Sequence, residues 1–213
     1  ITDPNTKPFS DPLHARALVI TDGTTTAVLI TVDAVAIGEI GPIKNDYLGK
    51  VRSALTAELG IPGSQVIVNA SHCHGIARAD AAERTIEAVR QAHARLTPVR
   101  VGAGVGHEDR IQENRRLKLK DGREADVRHA YSMPPDDLVE SVGPIDPEIG
   151  LLRLDRADSG QPLALVYNFA MHPIQGVPSG GNTADITGFS SRVIEENLGD
   201  DVIAHTRRLV ERG

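Results

Sequence analysis

The sequence of 213 residues contains little of several residue types, and each scarcity narrows its possible functions. It has one cysteine and no tryptophan, and aromatic residues make up only 3% of the chain. A single cysteine excludes an intrachain disulfide framework, although it leaves the compartment open. With so few aromatic residues, the core must be built from Val, Ile, Leu and Ala, which suits strands covered by helices.

A basic stripe and a long apolar run are also missing. The formal net charge is -6 and the Lys and Arg residues are scattered, so we expect no nucleic-acid partner. No run reaches the roughly 18 apolar residues that indicate a membrane span, and the first residues show no signal-peptide pattern. We therefore expect a soluble chain, and its localisation and oligomeric state stay open.

The apolar residues alternate between strand-like and helix-like spacing along the chain. Strands are predicted at 15–20, 27–32, 66–68, 99–105, 151–154 and 163–169. Helices are predicted at 45–59, 80–96 and 189–198, with a capping box at the second and a further short helix after residue 201. Residues 113–144 are polar and lack periodicity, which indicates an irregular excursion. The pattern predicts one domain over residues 1–213, of the layered α/β class, with mixed sheets flanked by helices.

Two histidines share the same position relative to a predicted strand. His72 follows strand 66–68, and His172 follows strand 163–169. Ligands collect at the carboxyl ends of strands in α/β sheets, so residues remote in sequence can meet there. Pro173 favours an extended conformation of His172, which projects the imidazole from the strand end. Two imidazoles and a carboxylate suit a catalytic zinc. If residues 71–75 are extended, His72 and His74 point to the same side, so one can bind the metal and the other can assist, although the His72-x-His74 pattern also occurs in purely structural roles.

Other polar residues near these strand ends are candidates for the same site. Asp33 ends the second strand and Asp185 precedes the last long helix, so either can bind substrate or orient an imidazole from outside the ligand shell. Each can equally be a cap or turn residue, and capping is the favoured role for Asp185. Arg115, in the excursion at 113–144, can hold a carbonyl oxygen with its guanidinium, although most surface arginines have no such role. Cys73 is predicted to be a small buried residue rather than a nucleophile.

Several segments together resemble the N-terminal domain of neutral/alkaline non-lysosomal ceramidases. The resemblance implies that His72 and His172 are zinc ligands, that His74 and Arg115 lie beside the substrate, and that an N-acyl amide bond of a lipid is cleaved. The 185–190 segment DITGFS resembles one that follows substrate-proximal residues of the family. The segments that carry the resemblance are 11–33 (DPLHARALVITDG through TVD), NASHCHG at 69–75, Asn114 with Arg115, GPIDPEIG at 143–150 and NFAMHP at 168–173.

The sequence also departs from the family pattern. Ser71 and Cys73 replace two threonines, and Ile76, Ala77 and Arg78 replace a Pro-Gly-Gly segment, so the pocket wall differs. The family's glutamate and tyrosine ligands and its serine have no counterpart here, and we expect the domain to be incomplete at its carboxyl end or to have segments missing. Three hypotheses follow: a zinc-dependent N-acyl amidase, a zinc-dependent esterase or amidase for a small soluble substrate, and a catalytically silent binding domain.

Overall fold

The structure, a computed structural model, describes residues 1–6, 11–127, 132–174, 182–199 and 202–207, with the side chains of 205–207 left aside. Within these residues the chain forms three α-helices and three β-sheets, which confirms the predicted α/β class with mixed sheets. The helices are α1 (Tyr47–Leu59), α2 (Ala81–Ala94) and α3 (Asp185–Leu198). The strands are β1 (Ala15–Thr21), β2 (Thr26–Val32), β3 (Val66–Ala70), β4 (Val99–His107), β5 (Arg116–Leu119), β6 (Glu124–Asp126), β7 (Val139–Val142), β8 (Glu148–Arg156), β9 (Pro162–Phe169) and β10 (Ile203–Arg207).

The first sheet has the strand order β1-β2-β3 and contains the predicted hairpin. β1 and β2 are antiparallel, and Gly23 at their turn has a φ of 90°, which glycine adopts without steric cost. β2 and β3 are parallel, with Val32 opposite Ala70. Because parallel strands end at the same edge, the chain leaves β2 at Asp33 and β3 at Ser71 side by side, and Ser71 N donates to Val32 O at 2.9 Å.

The second sheet has the strand order β10-β9-β8-β4, and only the β10–β9 pair is parallel. The predicted short helix after residue 201 is wrong, because that segment forms β10 and pairs with β9 from Ile203 opposite Ala164. Val202 and Ala204 are buried while Ile203 is exposed, which is the alternation of a half-buried strand. β10 has only five residues, which is too short a segment to distinguish from a helix turn in the sequence.

The third sheet, with the order β6-β5-β7, lies in the segment that was predicted to be irregular. That prediction is wrong for residues 116–119, 124–126 and 139–142. In β5 the buried Leu117 and Leu119 alternate with exposed Arg116 and Lys118. Each strand has only three or four residues, and most of the exposed residues are charged or polar. The alternation of apolar and polar residues is therefore too short to be recognised in the sequence.

The first and second sheets, which are the two larger sheets because their strands are longer, pack face to face. Helices cover their outer faces. Leu18 of β1 packs against Leu154 of β8 and Ala164 of β9. On the far side of β9, Tyr167 donates or accepts hydrogen bonds with Ser190 and Ser191 of α3. The other face of the first sheet packs on α1 and α2 through a core that includes Val28, Ile30, Val32, Val51 and Val89.

The helix ends show which local signals determine the structure. α1 ends at Gly60, whose left-handed conformation (φ 67°) lets its N–H bond to carbonyls of the last turn. The predicted capping box of α2 is absent: no side-chain cap bond is made by Asp80, whose carboxylate instead binds Arg78 at 2.7 Å and Arg84 at 3.0 Å. α3 begins four residues earlier than predicted. With 13 or 14 residues each, these helices are too short to cross a bilayer.

Candidate metal site

Three histidine side chains meet where the loops after β3 and β9 leave the two larger sheets. His72 and His74 follow β3, and His172 follows β9. The ring centroids are 4.9 Å apart for His72 and His172, 5.4 Å for His72 and His74, and 5.2 Å for His74 and His172. The structure thus brings together the two histidines predicted to bind metal and His74, which was predicted to belong to the same site.

The nitrogens of these rings are close enough to share one cation. One nitrogen from each ring lies within 4.8 Å of the others, and Nε2 of His74 is 3.2 Å from Nε2 of His172. Two nitrogens bound to a tetrahedral zinc at about 2.0–2.1 Å lie roughly 3.4 Å apart. All three histidines are half-buried, so the cluster is partly accessible to solvent. The donor set and spacing therefore fit a first-row divalent metal such as zinc.

The backbone of the loop after β3 explains why both of its histidines reach the same side. His72 has a φ of 64°, a left-handed conformation that few residues with a side chain adopt. The following Cys73 is fully buried and packs with Leu13 and Ala184. The flanking His72 and His74 are instead half-buried, with ring centroids 5.4 Å apart. A strained backbone at a side chain that meets two other histidines is typical of a functional site.

The predicted burial of Cys73 is confirmed, and it makes the thiol a poor nucleophile. Burial, and then the negative charges of Asp33 and Asp185, raise the pKa of Cys73 to about 12. We expect no alkylation by iodoacetamide at pH 8 in the folded chain and complete alkylation in denaturant, measured by mass spectrometry. Since the folded state keeps this proton while the unfolded chain loses it near pH 9, the free energy of unfolding should fall above pH 9. Rapid labelling of the folded chain would contradict this assignment.

Asp33 and Asp185 are buried near this loop, and both are already engaged with other groups. Asp33 Oδ2 accepts hydrogen bonds from His14 N at 2.9 Å and Arg16 Nη1 at 3.2 Å. Asp185 is the first residue of α3, has a φ of 58°, and its Oδ1 accepts from Ile186 N at 2.7 Å. Neither carboxylate belongs to the group of potential ligand atoms found in the described part of the chain. Their role as residues that bind substrate or orient an imidazole stays a prediction.

Arg115 is exposed and lies immediately before β5, which is a strand of the third sheet. Its carbonyl oxygen accepts a hydrogen bond from Val127 N at 2.8 Å. Among the described residues, its guanidinium has no hydrogen bond or ion pair with the three histidines. The neighbouring Asn114 folds this loop through a bond from its Nδ2 to Pro144 O at 2.6 Å. The site role of Arg115 therefore stays a prediction from the resemblance.

Two buried polar residues near the histidine loop after β3 had no predicted role. Asp11 accepts hydrogen bonds from Thr183 Oγ1 and from Ala184 N at 2.9 Å, directly before α3. Asn182 binds the backbone of Ile76, two residues after His74. These partners lie 106 to 173 residues apart in sequence, so no local pattern indicates them. Only the tertiary fold shows that Asn182 binds next to the loop after β3 and that Asp11 binds the segment following Asn182.

A pocket of about 900 Å³ is lined by none of the three histidines. It is lined by all of β1, by the carboxyl end of α2, and by Leu163 and Ala164 at the start of β9. His172 follows the opposite end of β9, and an eight-residue strand spans roughly 25 Å. The part of the pocket at Leu163 and Ala164 is therefore remote from the histidines, whereas Ala15 and Arg16 line it at the sheet edge where Asp33 lies.

Comparison with known proteins shows what this fold is similar to. No protein-family model matches the chain, and no curated protein matches it. It superposes on a ceramidase complexed with C2 at a TM-score of 0.70 and 20% identity, over 91% of this chain and 31% of that one. For a neutral ceramidase from Pseudomonas aeruginosa the TM-score is 0.65 and the identity 19%, over 91% and 32% of the two chains. The predicted resemblance is confirmed at the level of the fold, and the chain spans about a third of the length of these structures.

Proposed function

We propose that this chain carries the metal centre of a zinc-dependent hydrolase that cleaves an N-acyl amide bond. The observation that carries the proposal is the meeting of His72, His74 and His172 within ligand distance of one cation. The ceramidase-like fold supports the choice of an amide bond and of a lipid-like substrate, by analogy with the structures that it resembles.

In this proposal the described residues hold the ion and leave one side open to substrate. His72 and His172 are the ligands suggested by sequence, and together with His74 they make a three-histidine set that is sufficient for a catalytic zinc. When bound, zinc supplies a Lewis acid and lowers the pKa of a water molecule to about 7. The half-buried rings restrict the approach of solvent, and Arg115, which the resemblance puts beside the substrate, stabilises the negative charge that develops on the carbonyl oxygen.

His74 has two roles open to it, and its replacement separates them. The resemblance puts it beside the substrate, whereas the 3.2 Å between its Nε2 and that of His172 suits a third ligand. We expect His74→Ala to weaken zinc binding by at least roughly 10-fold as well as to lower activity, because a ligand position is lost. The measurement is a zinc titration against a chromogenic chelator. Unchanged zinc affinity with a lower kcat would assign His74 to the substrate instead.

The proposal is tested by zinc stoichiometry and by a panel of N-acyl substrates. The purified chain should bind one zinc, and its hydrolysis of N-acyl amides should stop on chelation and return with zinc. Acyl chains of graded length distinguish the substrate classes, since activity that requires a long chain supports a ceramidase-like reaction. Preference for short N-acyl amides or esters supports the second hypothesis, a hydrolase of small soluble substrates. Zinc binding without hydrolysis of any member would leave a binding domain, and absence of zinc binding would exclude the metal centre.

A further inference from the structure

The side-chain amide of Asn182 binds the backbone just beyond the loop that carries His72 and His74. Ile76 N donates to Asn182 Oδ1 at 2.8 Å, and Asn182 Nδ2 donates to Ile76 O at 3.4 Å. Asn182 is only 1% exposed, so water does not compete for these bonds. One side chain thus holds both polar groups of a residue 106 positions away, as a neighbouring strand would.

The same loop approaches the segment after Asn182 more closely than a side chain would allow. A Cβ added at Gly75 would lie 2.7 Å from Thr183 O, 2.8 Å from Leu13 Cδ2 and 2.9 Å from Asn182 Oδ1. Glycine is required here because the closest of these atoms is a backbone carbonyl oxygen, which cannot move aside as a flexible chain end can. On the other side of His74, Cys73 packs against Leu13 and Ala184. The histidine loop is therefore attached to the 182–184 segment on both sides of His74.

The segment that receives the loop is itself fixed. Asp11 binds Thr183 Oγ1 and Ala184 N, and Thr183 Oγ1 accepts a hydrogen bond from Asp185 N at 2.9 Å. Asp11, Thr183 and Asp185 are all less than 5% exposed. A buried network with these partners satisfied is rigid, and it holds the start of α3 as a fixed reference for the loop.

From these contacts we propose that Asn182 is a positioning residue of the metal site. It holds the loop after β3 against the frame at the start of α3, and thereby sets the distance from His74 to His172, which comes from the other sheet. The inference rests on the proposed function for the identity of the cation, while the placement of the rings does not depend on it. Metal affinity depends on ligands being held in place before the ion arrives, so loss of the Asn182 amide should weaken binding.

The test compares zinc affinity in Asn182→Ala, Asn182→Asp and a control variant. We expect Asn182→Ala to weaken zinc binding by roughly 10- to 100-fold and to change the visible spectrum of bound Co²⁺. Asn182→Asp keeps an acceptor for Ile76 N and should recover much of the affinity. The control is Thr85→Val, which removes a buried hydrogen bond to Tyr47 (2.8 Å) between α1 and α2 and should leave zinc affinity unchanged.

Unchanged zinc affinity and an unchanged Co²⁺ spectrum in a folded Asn182→Ala protein would overturn the inference. Should that variant not fold, Asn182→Ser takes its place, because a serine hydroxyl cannot reach both groups of Ile76, and the same two outcomes apply to it. Should the unmodified chain bind no zinc, the proposed function fails separately. The contacts between ring protons of His74 and His172, measured by NMR, then decide: their loss in the variant supports the positioning role, and their retention refutes it.

Discussion

Replacement of His72 by alanine should remove both bound zinc and hydrolysis. The ring of His72 is 4.9 Å from that of His172 and 5.4 Å from that of His74, so it contributes one of three donors to any shared ion. Loss of residues that merely support a ligand already costs about 10- to 100-fold in affinity, so loss of the ligand should cost at least roughly 100-fold. Zinc content after dialysis and the rate of amide hydrolysis measure the two effects.

The matched control for this variant is His107→Ala. His107 lies in β4, its side chain is 66% exposed, and it forms an ion pair with Asp109. Its loss should leave zinc content and activity unchanged, since surface ion pairs contribute little. Full zinc occupancy in His72→Ala, with a normal circular dichroism spectrum, would refute the assignment of His72 as a ligand.

The largest loss of stability is expected from Leu154→Ala. Leu154 is 2% exposed and packs between the two larger sheets, against Leu18 of β1 and Ala164 of β9. Removing a buried leucine side chain costs its transfer free energy and leaves a cavity, together about 2–5 kcal/mol. The free energy of unfolding from urea denaturation measures this loss. Because the sheets carry different histidines, we also expect weaker zinc binding near the unfolding midpoint.

The control residue for Leu154 stands directly opposite it in the next strand. Val101 of β4 pairs with Leu154 but is 55% exposed. Val101→Ala should therefore cost less than about 1 kcal/mol, since little apolar surface is removed from contact. Equal losses in the two variants would show that the interface between the sheets does not contribute the stability assigned to it.

The location of the candidate site could be predicted from sequence because its signals are local. His72 and His172 each follow a strongly apolar strand, and the rule that strand ends collect ligands needs no knowledge of the strand order. The structure places their rings together as that rule expects. The His72-x-His74 spacing also indicated His74, and its ring joins the cluster. Asp11 and Asn182 could not be found in this way, because their partners lie in distant segments and each residue looks like an ordinary loop residue.

The fold was predictable where elements are long and apolar. Seven predicted features match observed ones, with ends that differ by a few residues: the hairpin, α1, β3, α2, β4, β8 and β9. The short strands of the third sheet and β10 were missed, because three to five residues give no reliable period and pairing partners decide their conformation. The capping box at Asp80 failed for a different reason. The carboxylate of Asp80 binds Arg78 and Arg84 instead of a backbone N–H. The capping-box pattern considers only Asp80 and Glu83 and therefore cannot predict this competition.

The conformation of His72 has a consequence for how the chain balances stability and function. A residue with a Cβ in the left-handed region costs roughly 1–2 kcal/mol relative to glycine, and His72 has a φ of 64°. A glycine at this position would make the folded chain more tolerant of heat and denaturant while removing one nitrogen donor. Position 72 therefore holds a side chain that the backbone alone disfavours, and any selection for thermostability in this loop would act against the imidazole.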